Sequence, residues 1–131
     1  MPSSKDYLVV GAVLAAVGAG IYLAYRKPTA PPKAGIQRRY GQKLVFKPEI
    51  RNSSDITHRS IAVQARIAGQ GQDWQEGVFD FKPGTLIVSL PAWVVPGAFP
   101  VKVHGVEARL LDQTGKVIDQ MSWKDQVEVI A

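Results

Sequence analysis

Apolar residues follow one pattern at the start of the chain and a different one over the rest of it. From Tyr7 to Tyr25 the sequence reads YLVVGAVLAAVGAGIYLAY, 19 residues without a charge. As an α-helix, at about 1.5 Å per residue, this run would be about 28 Å long, close to the ~30 Å hydrocarbon thickness of a bilayer. Arg26 and Lys27 follow directly, where long basic side chains can reach the headgroups. The pattern predicts one transmembrane helix over residues 7–25.

Two other interpretations of this run stay open. Lys5 gives a weakly positive start, and the small residues between Ala15 and Gly20 offer a cleavage site, as in a secretory signal peptide. The run is, however, longer than the usual apolar core of a signal, about 7–15 residues, and its charges come after it. A buried helix of a soluble domain would show a polar edge. We therefore expect an uncleaved anchor.

From about residue 43 the apolar residues alternate with polar ones, as in half-buried strands. SIAVQARIA is the clearest case, and TLIVSL, VKVHGVEARLL and DQVEVI are rich in β-branched residues. LLDQTGKVID places a turn between two apolar runs, which predicts a hairpin. A lone Gly105 inside a predicted strand indicates a bulge. The expected core residues are Ile61, Val63, Ile67, Phe79, Leu86, Val88, Val103, Val106, Leu110, Val117, Val127 and Val129.

The succession SIAVQARI, TLIVSLP and VEARLLDQTGKVID, with its D-x-x-G-K turn, resembles immunoglobulin-like and fibronectin-III-like domains of bacteria and phages. The resemblance covers residues 43–131 and implies an antiparallel β-sandwich in which Trp74 is a core tryptophan. The chain has no cysteine, so the Cys…Trp…Cys signature of true immunoglobulin domains is absent. The predicted fold is mainly β: an N-terminal transmembrane α-helix followed by an immunoglobulin-like sandwich, which by itself implies no activity.

Charge and proline divide the chain into four pieces. A polar tail (1–6) precedes the span (7–25), a basic linker with three prolines covers 26–42, and the sandwich covers 43–131. From Arg26 to Arg51 there are eight basic residues and one acidic, a net charge of +7, whereas the remainder carries −2. Positive residues beside a span favour the cytoplasmic side. If the protein is cellular, the domain should therefore be cytoplasmic.

The basic linker also predicts contact with anionic lipid headgroups, worth about 1 kcal/mol per basic residue near the surface. The residues expected to make this contact are Arg26, Lys27, Lys33, Arg38 and Arg39. Binding to nucleic acid is the alternative, but no module such as an RRM, KH domain or zinc finger is present. We expect no nucleic-acid partner.

Small residues recur at intervals of four within the predicted span. On a helix they would share one side and let another transmembrane helix approach closely. This predicted packing face consists of Gly11, Ala12, Ala15, Ala16, Ala19 and Gly20. Alanine and glycine are also common on lipid-facing surfaces, which is the alternative.

PAWVVPGAFP, residues 91–100, is an uncharged stretch cut by three prolines. Such a stretch is unsuited to a central strand. Its apolar side chains either cover one end of the core or form a docking loop for a partner protein. The residues concerned are Trp93, Val94, Val95 and Phe99.

No pattern of catalytic or metal-binding residues stands out. The two histidines, His58 and His104, are far apart in sequence, and no G-x-S-x-G or phosphate-loop motif is present. We expect no enzyme activity, no metal site and no cofactor.

A short polar tail, a Gly/Ala-rich span, Arg-Lys, a proline linker and a small domain form a layout similar to small virion membrane proteins of tailless bacteriophages with an internal membrane. That resemblance implies a protein that ties the lipid vesicle to the capsid. The sequence thus predicts a single-pass structural adaptor whose partners are the bilayer, other transmembrane helices and a protein in a larger assembly. The alternatives are an accessory subunit of a bacterial envelope complex (secretion, division or respiratory) and a secreted binding module.

Overall fold

A computed structural model of the chain describes residues 20–24 and 36–131. The polar tail, residues 7–19 and 25 of the expected span, and residues 26–35 of the expected linker lie outside these ranges. Within them the chain forms strands and no α-helix, so no described helix could cross a membrane. The strands are β1 (Ile21–Leu23), β2 (Ile36–Arg39), β3 (Lys43–Leu44), β4 (Glu49–Asn52), β5 (His58–Ile67), β6 (Gln75–Phe81), β7 (Gly84–Ile87), β8 (Trp93–Val94), β9 (Val103–Leu111) and β10 (Val117–Ile130).

Two sheets share one hydrophobic core. The larger has the strand order β2-β10-β9-β5-β6 and the smaller β1-β4-β7, while β3 and β8 form a separate short pair. β1 of the smaller sheet packs against β9 and β10 of the larger one. The predicted mainly β fold is confirmed, and its coarse form is a β-sandwich. The largest fully buried side chains come from both sheets and from the segments between them: Phe81, Leu23, Leu44, Ile50, Ile67, Leu110, Val63, Val95, Val127 and Val129.

The predicted hairpin is present between β9 and β10. At its turn the Asp112 Oδ1 atom accepts hydrogen bonds from the main-chain N–H groups of Thr114 (2.9 Å) and Lys116 (3.0 Å). Gly115 adopts a φ of +87°, which favours glycine. These local contacts need no help from the rest of the fold, which is why the turn could be predicted from the sequence.

The irregularity expected at Gly105 lies on the neighbouring strand. The pairing of β9 with β10 shifts between Trp123 and Val127, so the extra residues belong to β10. Gly105 has a different role: a Cβ atom there would lie 2.7 Å from the main-chain oxygen of Trp123. Glycine therefore allows the close approach of β10 at this bulge.

The end of the expected transmembrane helix is a strand in the described structure. Residues 21–23 pair antiparallel with β4, and the ladder is extended by Ala24 N–H, which donates to the oxygen of Glu49 (2.8 Å). The side chains of Ile21 and Leu23 are buried in the sandwich. In the described structure residues 20–24 thus lie in the sheet and not in the predicted helix. An uncharged run can form a fully buried strand as well as a helix, and only the cross-strand partner decides between them.

The predicted linker also ends inside the domain. β2 pairs in parallel with residues 127–130 of β10, so the larger sheet is not purely antiparallel. After β2, Tyr40 donates a hydrogen bond from its hydroxyl to the oxygen of Phe99 (2.9 Å). The boundary expected at residue 43 is too late, because β1 and β2 both belong to the sandwich.

Three residues expected in the core are partly exposed instead: Leu86, Val103 and Val117. Phe79 and Val106 are half-buried and pack against the core, and the other expected residues are buried. Leu86 belongs to an edge strand and Val117 directly follows a turn. Alternation identifies the face of a strand, but the position of that strand within its sheet decides how deeply the face is covered.

Candidate protein-docking edge

β7 is an edge strand of the smaller sheet. Its ladder with β4 continues past the end of the strand, where Val88 N–H donates to the oxygen of Pro48 (3.1 Å). Main-chain groups alternate in direction along an antiparallel edge. The N–H and C=O groups of Leu86 therefore point toward β4, as the N–H of Val88 does, whereas those of Thr85 and Ile87 point away from β4. Among the described residues no strand lies on that side. β7 therefore presents main-chain donors and acceptors that an added strand could use.

The side chains of β7 make this edge apolar. Leu86 is 47% exposed and Ile87 is 54% exposed, on opposite faces of the strand. The strand reads Gly-Thr-Leu-Ile and contains no charge. A free edge with exposed branched apolar residues is the kind that pairs with strands of other proteins.

The other edges carry polar protection. In the larger sheet, edge strand β2 includes Arg38 and Arg39, and edge strand β6 includes the exposed Glu76 and Asp80. Charged residues on an edge oppose further strand pairing. Of the described edge strands β2, β6 and β7, β7 is thus the one without a charged residue.

β1, at the other side of the smaller sheet, is capped by a side chain. The N–H of Leu23 donates to the Oδ2 atom of Asp119 on β10 (2.7 Å). Burial raises the pKa of Asp119 above its ordinary value, although the hydrogen bonds from the main-chain N–H groups of Leu23 and Gln120 act in the opposite direction. Asp119 therefore occupies an outward N–H group that would otherwise be open, and no side chain within residues 20–24 and 36–131 caps β7 in this way.

The loop predicted for docking lies mostly inside the core. Val95 is fully buried and Phe99 nearly so, and the half-buried Trp93 packs edge-on against Phe99, with ring centroids 5.1 Å apart. Only Val94 is widely exposed, at 49%. Of the two interpretations that the sequence left open, the structure supports the core cover, because three of the four side chains are turned inward.

The other predicted contact residues are only partly described. Gly11, Ala12, Ala15, Ala16 and Ala19 of the helix-packing face lie outside the described residues, as do Arg26, Lys27 and Lys33 of the linker. The last member of the face, Gly20, directly precedes β1 and has a φ of +64°. A Cβ atom there would collide with the Cβ of Ser54, so the lack of a side chain serves packing within the sandwich.

The two remaining basic residues are held by the domain through hydrogen bonds. The Arg38 guanidinium donates to the main-chain oxygens of Gln37 and Lys43, both at 2.8 Å. Arg39 donates to the main-chain oxygen of Ala131, also at 2.8 Å. These contacts use part of each guanidinium, and both side chains remain at the surface.

Trp74, expected in the core, lies on the outer face of the larger sheet. The guanidinium carbons of Arg66 and Arg109 lie 4.0 and 4.3 Å from its ring centroid. Arg66 is also paired with Glu107, at 2.6 Å. This cation–π cluster was missed in the sequence because its members come from different strands and loops, although Arg66 and Arg109 do fall on the polar face of their alternating patterns.

The histidines lie apart in the structure. His104 is buried, with its Nε2 atom 2.8 Å from the main-chain oxygen of Pro100, to which it donates a hydrogen bond. His58 Nε2 lies 3.1 Å from the Ser54 hydroxyl. Within residues 20–24 and 36–131 no three His, Cys, Asp or Glu side chains are grouped as metal ligands.

Comparison with known proteins gives similarity of fold only. No protein-family model and no curated protein matches the sequence. Among solved structures, a β-glucuronidase from Bacteroides uniformis matches with a TM-score of 0.51 and 14% identity, over 79% of this chain and 14% of that chain. A putative β-galactosidase from Bacteroides fragilis gives a TM-score of 0.48 and 18% identity, over 80% and 15%.

A CARDB domain from Pyrococcus furiosus, solved in complex with di-metal ions, matches with a TM-score of 0.45 and 10% identity, over 85% of this chain and 92% of that chain. The chain spans only a small part of the length of each glycosidase. At these identities, the match to the β-glucuronidase supports a shared β-rich fold and nothing about activity.

Proposed function

We propose that the protein is a membrane-anchored, non-catalytic structural adaptor. An immunoglobulin-like sandwich is held at a bilayer by the N-terminal apolar segment and binds an extended strand of a partner protein along β7. The layout fits two settings, a virion with an internal membrane and a bacterial envelope complex. In the first, the adaptor would link the vesicle to the capsid.

The open edge of β7 is the observation that carries the binding part of this proposal. Strand addition needs an edge with unpaired main-chain groups and pockets or surface for alternate side chains. Thr85 and Ile87 supply the main-chain groups, and Leu86 and Ile87 supply exposed apolar surface. The partner segment that fits is an extended strand with apolar side chains.

The membrane part of the proposal depends on the uncharged run that begins at Tyr7. A single charge at the centre of a span costs about 2.5–3.5 kcal/mol on insertion scales. The double variant Val13→Arg/Val17→Arg should therefore leave the membrane fraction. Val13→Leu/Val17→Leu keeps the run apolar and is the matched control, which should stay. If the arginine variant resists alkaline and high-salt extraction, the anchor is wrong.

A cleaved signal peptide makes a different prediction for the same segment. Cleavage between Ala15 and Gly20 would release a protein whose first residues are close to β1, and the intact mass of the purified protein measures this directly. We expect the uncleaved mass. A mature chain that starts near residue 20 would instead make the protein a secreted binding module.

Two positions with equal exposure allow a matched test of docking. Ile87 and Val101 are both 54% exposed, so replacing either by lysine should change the stability of the domain by no more than about 0.5 kcal/mol. Proteins that co-purify with the full chain from source membranes in mild detergent are compared. Ile87→Lys should lose its main partner while Val101→Lys keeps it. Loss in both variants, or in neither, would contradict docking at β7.

A proline at the same position tests whether the partner pairs through the main chain. Ile87→Pro removes an N–H that faces away from β4 and leaves the internal ladder intact. It should abolish partner binding while the domain stays folded. Ile87→Val keeps the N–H and a branched side chain, and should keep the partner. If the proline variant stays folded and still binds, the contact is made through side chains alone and strand addition is wrong.

A further inference from the structure

Residues 20–24 are an integral part of the sandwich. Ile21, Leu23 and Ala24 are buried, and the main-chain oxygen of Gly20 accepts a hydrogen bond from the N–H of Ser53 at 2.6 Å. Ala24 N–H also donates to the main-chain oxygen of Glu49, and Leu23 N–H donates to Asp119. Through these contacts the five residues fill a groove beside β4. Removing them would expose apolar core surface.

The same residues complete the length of the membrane span. Residues 7–25 would form a helix of about 28 Å, but residues 7–19 alone would reach only about 20 Å. A transmembrane helix needs roughly 17–25 apolar residues to cross a ~30 Å hydrocarbon layer. With β1 in the sheet, 13 residues remain in the run, too few to cross. A full span and a docked β1 cannot exist in the same molecule at the same time.

We propose that bilayer insertion withdraws β1 from the sandwich, and that the groove opened beside β4 then accepts an extended strand from a partner protein. This inference rests on the proposed membrane anchor. The docked and inserted positions of residues 20–24 are alternatives, so the bilayer controls access to the groove. In the absence of lipid the chain's own β1 closes it.

The present occupant defines the chemistry of the partner strand. The Cβ position of Gly20 is blocked by Ser54, which requires glycine at the first position of the strand. Ile21 and Leu23 show that two apolar side chains, separated by one residue, enter the core. Asp119 then accepts the main-chain N–H at the position of Leu23. The groove therefore fits glycine followed by apolar, any, and apolar residues in extended form.

A disulfide can hold β1 in place. Tyr22 and Arg51 are cross-strand partners, and such pairs in an antiparallel ladder lie about 4.5–5.5 Å apart between Cα atoms. This is within the usual range of a disulfide, about 4.4–6.8 Å. The chain has no other cysteine, so Tyr22→Cys/Arg51→Cys can form one internal bond. Ala62→Cys/Val78→Cys, a cross-strand pair between β5 and β6, is the matched control.

Insertion of the full chain into vesicles of phosphatidylcholine with a minority of phosphatidylglycerol is measured by resistance to alkaline extraction. The oxidised Tyr22→Cys/Arg51→Cys chain should lose at least about nine-tenths of its insertion and recover it on reduction, whereas the control should insert in both states. If the oxidised chain inserts as well as the reduced one, the competition is wrong and the anchor stands. If wild type does not insert either, the anchor itself fails and the inference fails with it.

A fluorescent peptide with the sequence GAGIYLAYRK, residues 18–27, then probes the groove in the inserted protein. Its anisotropy should rise with vesicle-inserted wild type, and not with empty vesicles or with the oxidised Tyr22→Cys/Arg51→Cys chain. The Ile21→Asp/Leu23→Asp form of this peptide should not bind. Equal signals from both peptides, or no signal with inserted wild type, would overturn the acceptor groove.

Discussion

Leu23→Ala tests whether residues from the apolar run stabilise the domain. The Leu23 side chain is 1% exposed, and its truncation removes three carbon atoms from the core. At about 0.8 kcal/mol per buried methylene, the transfer cost alone is about 2.4 kcal/mol, and the cavity left behind adds to it. We expect a loss of about 3 kcal/mol in the free energy of unfolding. For a domain of this size that lowers the melting temperature by roughly 10–15 °C.

The assay is thermal unfolding of the full chain in lipid-free buffer, kept in solution by a carrier protein fused to its N-terminus and followed by circular dichroism. Tyr22→Ala is the control. Tyr22 lies on the opposite face of β1 and is only partly buried, so its loss should cost about 1 kcal/mol or less. If Leu23→Ala leaves the melting temperature unchanged, β1 does not belong to the stable domain. If Leu23→Ala and Tyr22→Ala lower the melting temperature equally, then the Leu23 face of β1 is not buried more deeply than the Tyr22 face.

Three other outcomes are expected for the domain. Trp93→Ala should lower the free energy of unfolding by about 3 kcal/mol, because the ring packs against Phe46 and Phe99, whereas Val94→Ala should have little effect in the same urea titration. Asn52→Ala should cost about 2–3 kcal/mol in urea, because the buried amide donates to the oxygens of Ile56 and Phe81 and its removal breaks both hydrogen bonds. Burial raises the pKa of Asp119 in the folded state above its ordinary value of 3.8, so the folded state binds this proton more tightly and the associated stability is lost as the pH rises through the raised pKa. The stability of wild type relative to Asp119→Asn should therefore decrease with rising pH in this window, and an increase would contradict the burial of the carboxyl group.

A strand could be predicted where one of its faces packs on the core and the other is nearer to solvent, because its apolar and polar residues then alternate. β5 follows strict alternation, and its apolar residues Ile61, Val63 and Ile67 are buried as the pattern indicates. The turn after β9 is set by Asp112 and Gly115 through local hydrogen bonds. In both cases the information lies within a few neighbouring residues, so the sequence alone contains it.

The fate of residues 20–24 could not be predicted because it depends on a distant partner. GIYLA satisfies the apolar pattern of a span and also the alternation of a short buried strand. Only β4, some thirty residues later, supplies the ladder that makes it a strand. An apolar segment such as GIYLA can lie in a bilayer or in a sheet. A hydropathy pattern carries no information about the sheet that would pair with it.

The docking edge was missed for a related reason. TLIVSL is apolar enough for a core strand, and Leu86 was expected to be buried. Its exposure follows from the strand order β1-β4-β7, in which β7 has one neighbour among the described strands. Conversely, the charge-free loop with Trp93 and Phe99, for which the sequence left docking and core cover open, is folded against the core. Edge positions are set by topology, which the pattern of a single strand does not reveal.

Site-specific photo-crosslinking in intact source membranes tests the central claim most directly. A photoreactive amino acid is placed at position 87 of the full chain or, as the control of equal exposure, at position 101. Docking along β7 predicts that position 87 gives an adduct with one segment of another protein, and that moving the probe to position 85 shifts the adduct by two residues along that segment. Position 101 should give no such adduct. Absence of the adduct from position 87, or the same adduct from position 101, would contradict strand docking at β7.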